Sequence, residues 1–140
     1  KILMDNGAKL RKFGAMVQAF IEENGTIDAM SEFVTPLADL GEKVIKLTTE
    51  IGMKAFQNQD EVGAAAVPYL RVVGHLVYAW FFARMAKIAL ARLDSGDNFY
   101  KAKLATARFY YARLLPETAM LIRQARAGAK SLLELEAELF

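Results

Sequence analysis

This sequence predicts an all-α fold: a four-helix bundle of long, partly kinked helices with a short C-terminal tail helix. Three observations predict it. Apolar residues recur at helical spacing throughout, no segment alternates with the two-residue period of a strand, and three clusters of turn residues divide the chain. Its 140 residues suit a single domain spanning 1–140, and 54% hydrophobic against 24% charged residues fits a core-rich globule rather than a disordered chain.

Asp5 is placed to cap a first helix that turns Leu10, Phe13, Val17 and Phe20 inward. Asn24-Gly25 ends it, with the glycine expected in the left-handed conformation of a helix C-terminus. A second helix, opening at Thr26, carries a regular stripe: Met30, Phe33, Leu37, Leu40, Val44, Leu47, Ile51. Its alternating steps of three and four make a narrow packing seam, interrupted at Thr35-Pro36 by a kink or a restarted helix. Asn58-Gln59-Asp60 is the next turn.

The third helix, from about Glu61 to Leu93, differs in kind. Val72 to Ala83 (VVGHLVYAWFFA) holds no charge, and its bulky side chains point all round the axis. Such a helix is buried on several sides or spans a membrane. Arg71 and Arg84 cut the run below the ~20 residues that spanning needs, so burial is expected. Pro68 implies a kink or a late start.

Asp94 to Asn98 forms the third turn, and Asp97 caps the fourth helix. Treated as one unbroken α-helix, its wide inner face is Tyr100, Leu104, Ala107, Tyr111, Leu114, Thr118, Leu121 and Ala125. Lys101, Arg108 and Arg126 fall on a second face, with a bend expected at Pro116. Phe109 and Met120 fall together on a third, bordered by Arg113 and Glu117 as a possible i, i+4 pair. Gly128 stops the helix, and Ser131-x-x-Glu134 has the capping-box pattern for the tail helix LLELEAELF.

The stretch FYKAKLATARFYYARLLPET (Phe99 to Thr118) interleaves rings and cations in a way that nucleic acid or a membrane surface would also suit. Separation of cations and most rings onto different faces argues against nucleic acid and for a structural helix with a second apolar face. That face is a partner surface or a larger intrachain contact, for instance with the tail helix. Phe109, Arg113 and Met120 are therefore the candidate interface residues.

Net charge is unevenly placed. Lys1 to Glu61 carries 7 cations and 10 acids, Val62 to Lys130 carries 11 cations and 3 acids, and the last ten residues add three Glu. The basic half suits an anionic partner or complements the acidic half within the fold; the second is favoured, because the cations do not cluster in sequence. The chain has no Cys and a single His, which excludes thiolate sites and a di-metal centre built on two Glu-x-x-His pairs. His75 reads as a buried imidazole bonded to a neighbour, Trp80 and the six Met as core. No catalytic, cofactor-binding or metal residue is assigned. The start at Lys1, without Met or signal peptide, hints at a piece of something longer.

Three strings carry a resemblance: AAAVPYLRVVGHLVYAWFFARMAKIAL (Ala64 to Leu90), NFYKAKLATARFYYARLLPET (Asn98 to Thr118), and the Ala-Gly-Ala that precedes SLLEL. They resemble the C-terminal domain of long bacterial acyl-CoA dehydrogenase-like flavoproteins, relatives of acetyl-CoA and methylthiopropionyl-CoA dehydrogenases. The likeness is strongest from Ala64 to Lys130, and Pro68 departs from the small or polar residue usual there. The resemblance implies a helical accessory domain in fatty-acid metabolism. It would follow an FAD-binding core that holds the catalytic glutamate, pack on that core and contribute to subunit contacts. It implies FAD in the parent protein and none here, and a cytoplasmic or membrane-peripheral location. The alternatives are a membrane-surface module using the basic half, and a free-standing binder of acyl chains or CoA with a pocket lined by the third helix.

Overall fold

The computed structural model describes residue 5 and residues 7–139, the side chain of residue 137 excepted. Helix α1 spans Ala8–Asn24, α2 Ser31–Gln57, α3 Asp60–Leu90, α4 Asn98–Phe109, α5 Glu117–Arg126 and α6 Lys130–Leu133. Tyr110–Leu114, between α4 and α5, is a single π-helical turn, and the described residues contain no strand. Helices α1, α2, α3 and the broken rod α4–α5 are the four members of the bundle. Helix α3 lies against α2 on one side and α4–α5 on the other, while α1 packs mainly on α2.

The α2 seam is buried as its spacing requires: Met30, Phe33, Leu37, Leu40, Val44 and Leu47 are all inside, with Ile51 packed against them. Helix α2 opens at Ser31, after a short 3-10 turn at Asp28–Met30, rather than at Thr26. Pro36 and Pro68 sit inside α2 and α3, each removing one N–H donor without ending its helix. From α1, Val17 and Phe20 are buried, and Phe13 sets its ring edge-on against Trp80 with centroids 5.5 Å apart.

Several ends differ from expectation. Asp5 accepts from the Gly7 N–H at 3.0 Å, but the residue at the cap of α1 is Gly7, with φ 74°. Gly25 is right-handed, at φ −66°; what it supplies is room, because a Cβ there would stand 2.9 Å from the Ile21 carbonyl oxygen. Asp97 caps α4 as expected, accepting from Phe99 N–H at 2.8 Å, and Gly128 takes φ 80° after α5. The Ser131 capping box does not form. Glu61 does that work from the start of α3, its carboxylate accepting the Ala129 N–H at 3.1 Å. The tail is one turn of α-helix followed by a 3-10 turn at Ala137–Leu139; Phe140 lies outside the described residues.

The charge asymmetry closes within the fold. Lys87 meets Glu23 at 2.7 Å, Arg108 meets Glu32 at 2.8 Å and Arg126 meets Glu50 at 2.6 Å, each joining the basic half to the acidic half. Exposed pairs of this kind add only about 0–1 kcal/mol each, so they set register more than stability.

The packing separates two aromatic residues of similar size. In dilute solution Phe33→Ala, which empties a fully buried site, should cost about 3–5 kcal/mol, and Phe81→Ala, whose ring is half exposed, less than about 1 kcal/mol. Urea denaturation followed by circular dichroism tests this; equal losses would place Phe81 in the core.

Candidate functional site

Helix α3 is buried along one side only. Its inner side carries mostly small residues: Ala65, Ala79, Ala83, Ala86 and Ala89, with Val72, Leu76 and Trp80. Its outer side carries large ones. Val67 is 69% exposed, Leu70 71%, Tyr78 59%, Phe81 54% and Ile88 60%. The expected enclosure on several sides is therefore met in part: α2 and α4–α5 cover the alanine side and its flanks, where Val73 and Phe82 pack on the core, while Tyr78 and Phe81 stay exposed. Among the described residues α3 is also the one helix long and apolar enough to cross a membrane, a property that core helices share. Beside its C-terminal half runs an open groove of about 430 Å³, lined by Phe81, Met85, Ile88 and Phe99 with Arg84 and Lys103 at its edges.

A polar cluster borders this face near its middle. His75 Nδ1 lies 3.0 Å from the Tyr110 hydroxyl, and Nε2 lies 3.2 Å from a Glu117 carboxylate oxygen. Glu117 also pairs with Arg71. The Tyr110 hydroxyl has one proton and two acceptors in reach, Nδ1 and the His75 carbonyl oxygen at 3.0 Å, and donates to one of them at a time. With the imidazole proton on Nε2, Nε2–H donates to Glu117. Burial, with the Arg71 guanidinium close by, pushes the imidazole below its ordinary value of 6.5. Burial likewise pushes the Tyr110 and Tyr111 phenols upward, so both stay protonated donors; Tyr111 bonds the Ala79 carbonyl at 2.8 Å.

The π-helical turn makes this cluster. Pro116 has no N–H, and its ring would crowd the carbonyl of Ala112 in a regular helix. The chain inserts one extra residue ahead of it, Leu115 N–H bonding Tyr110 C=O at 3.0 Å, five residues back. That residue changes the inner face at the turn and leaves Leu121 and Ala125 beyond it buried as expected. Tyr110 and Leu115 are buried, while Leu114, expected inside, is exposed.

The same insertion decides the fate of the candidate residues. Phe109 is 58% and Met120 49% exposed, and Arg113 is exposed too. They do not share one helix: Phe109 ends α4, Met120 lies in α5, and the π-helical turn stands between them. The Arg113–Glu117 pair does not form either, since Glu117 turns toward Arg71 and His75. The α3 seam was missed, although its all-round apolarity was the signal. Trp80 and His75 take the core and bonded roles expected of them.

A second cleft, about 710 Å³, opens between α1 and α2 beside Leu10, Gly14, Gly41 and Ile45, and α3 lends it only Leu76. This is not the α3-lined pocket that an acyl-chain or CoA binder would need. Among the described residues no group of three His, Cys, Asp or Glu side chains converges to hold a metal.

A family model described as "Acetyl-CoA dehydrogenase C-terminal like" matches residues 13–136, from the middle of α1 to the tail. The chain belongs to that family. It is 30% identical over 128 residues to the broad-specificity linear acyl-CoA dehydrogenase FadE5 of Mycobacterium tuberculosis, covering 83% of this chain and 21% of that protein. It is 28% identical over 120 residues to the 3-methylmercaptopropionyl-CoA dehydrogenase of Ruegeria pomeroyi, covering 84% of this chain and 20% of that protein. The chain thus spans about a fifth of the length of these curated relatives.

In this member of the family the imidazole leaves a measurable trace. Its folded pKa is depressed, so protonation favours the unfolded chain, and stability should fall as pH drops below about 6.5 and level off below the folded pKa. Glu23 and Glu50, each lowered by its cation, act in a more acidic window, below the ordinary 4.5 of a carboxylate. The difference between the wild-type chain and His75→Gln in denaturant midpoint between pH 7.5 and 5 isolates the histidine. A difference that does not change with pH would show that His75 keeps its ordinary value.

Proposed function

We propose that this chain is an assembly domain of an FAD-dependent acyl-CoA dehydrogenase, carrying no catalytic residue of its own. The observation that supports this most directly is the outer side of α3. A domain whose own core is closed, yet which leaves a seam of five bulky apolar residues open to water, fits against another protein surface. Family membership supplies the context. The curated relatives are named as dehydrogenases of acyl-CoA thioesters, and the match covers about a fifth of their length. In this reading an FAD-binding core elsewhere in the parent protein carries the chemistry, and this domain packs on it and takes part in joining subunits in the cytoplasm. Phe109, Arg113 and Met120 form a lesser contact patch on the far side of the π-helical turn.

A membrane-surface role has one observation in its favour: Arg84 and Lys103 flank the apolar groove at Phe81 and Phe99. Salt-sensitive binding of the isolated chain to phosphatidylglycerol vesicles would select that role over assembly.

The test of the proposal uses the native protein. Antibody raised against this chain should recover from cell extract a polypeptide several times longer that holds FAD, while the chain purified alone is colourless and inactive on acyl-CoA thioesters. A flavin-free native protein, or a stoichiometric flavin band in the isolated chain, would overturn it.

A further inference from the structure

We infer that the groove between the C-terminal half of α3 and the start of α4 receives an acidic amphipathic helix from outside this chain. About two turns of it fit, with apolar side chains inside and carboxylates on the rim. The inference deepens the assembly reading by naming the chemistry of the partner, and it rests on that reading for its biological setting. Phe81, Met85, Ile88 and Phe99 line the groove, which holds about 430 Å³. From Phe81 to Ile88 the helix rises about 10 Å, the span of an i, i+3 or i+4, i+7 set of anchors on a docking helix. Phe81, Ile88 and Phe99 are each more than half exposed, so their outer surfaces are open to one further row of side chains.

Charge selects the partner. Arg84 lies over the Trp80 ring at 4.6 Å from its centroid, and Lys103 over the Phe99 ring at 5.1 Å. Arg92 lies over Tyr100, which also lines the groove, at 6.0 Å. Three cations are thus held on rings around one apolar trough, and among the described residues none of the three enters an ion pair. The neighbouring acid Asp97 is turned to the Phe99 N–H as the cap of α4. Carboxylates flanking an apolar stripe would complement this rim, gaining charge-assisted hydrogen bonds as the stripe leaves water. Other anionic partners lack the matching shape. Bases of a nucleic acid stack on open ring faces, and here the protein's own cations lie over those of Phe99, Tyr100 and Trp80. A bilayer surface meets protruding side chains, whereas a concave trough is entered by a single ridge, as a helix presents.

Trp80 is the single Trp and lies beneath Arg84, so its emission reads occupancy of the groove. The probe is a capped peptide of about 15 residues, long enough for a helix, with Leu at i, i+3, i+4 and i+7 and Glu on the flanks. Its titration should shift Trp80 emission and saturate. The same peptide with Gln for Glu should bind at least about tenfold more weakly at low salt, a gap that closes as salt is raised. Arg84→Gln with Lys103→Gln should abolish the gap and leave circular dichroism unchanged, while Phe81→Ala should weaken both peptides alike. Equal affinity for the Glu and Gln peptides, or a gap that survives in the double variant, would overturn the inference. So would phosphatidylglycerol vesicles that shift Trp80 emission when the Glu peptide does not. In the native protein, zero-length carbodiimide coupling should join Lys103 to an Asp or Glu outside residues 1–140. A link only to acids of this chain's own sequence, as from the tail of a second copy, or no link at all, would overturn it. Each of these results leaves the flavin content of the native protein, and with it the broader assembly reading, to stand or fall separately.

Discussion

Everything in this bundle depends on the alanine side of α3. Ala79, Ala83, Ala86 and Ala89 recur on one side of the helix and are almost wholly buried. Small side chains let the neighbouring helices approach closely, and α2 and α4–α5 use that proximity from two directions. The bulk needed to fill the core comes from the neighbours: Phe33, Leu37 and Leu47 of α2, Tyr110 and Leu115 around the π-helical turn, Leu121 and Ile122 of α5. The outcome follows from volume. A helix of this composition has its large residues left over, and they face away from the bundle.

Polar contacts fix where the helices stop sliding. Thr48 Oγ1 lies 2.7 Å from the Tyr69 hydroxyl between α2 and α3, and the Tyr111 hydroxyl bonds the Ala79 carbonyl between the π-helical turn and α3. Three ion pairs do the same from outside, each linking an acid of α1 or α2 to a cation of α3, α4 or α5. Since exposed pairs add little energy, their use is to penalise a wrong register, in which like charges from one half of the chain would meet. The asymmetry of charge along the sequence is thus spent inside the fold. Beside the α3 groove, Arg84 stacks on the Trp80 ring and Lys103 on the Phe99 ring.

How much of this could be read from residues depends on whether the helix is regular. The α2 stripe was legible to the residue because an unbroken α-helix keeps its phase for 27 residues, and the internal Pro36 costs one hydrogen bond without shifting the phase. The α4–α5 rod was legible except at the π-helical turn: Leu104, Ala107, Leu121 and Ala125 are buried as expected, and Leu114 is not. There an extra residue enters ahead of Pro116, so Leu115 replaces Leu114 inside and Phe109 and Met120 fall on two separate helices. Proline signalled a bend but not the means of making it, which tertiary contacts choose: Tyr110 turned inward gains His75 and stacks on Phe82 with centroids 4.4 Å apart. The open side of α3 was hidden for a different reason. Hydrophobicity says that a residue should leave water, and it does not say whether the surface that shelters it belongs to the same domain.

That last distinction bears on what a domain of this family is for. A bundle that only needed stability would place polar residues on the outer side of α3, since alanine contacts already close the core. Keeping Val67, Leu70, Tyr78, Phe81 and Ile88 there costs solubility and gains nothing inside the bundle. The polar cluster at His75 argues in the same direction. Glu117, the first residue of α5, pairs with Arg71 and His75 at the edge of the open seam and ties α5 to α3 there. In the assembly reading proposed above, a surface ordered in advance would lose less entropy on docking. The kink at Pro116 and the seam on α3 are then parts of one arrangement: the first shapes the edge, the second supplies the area.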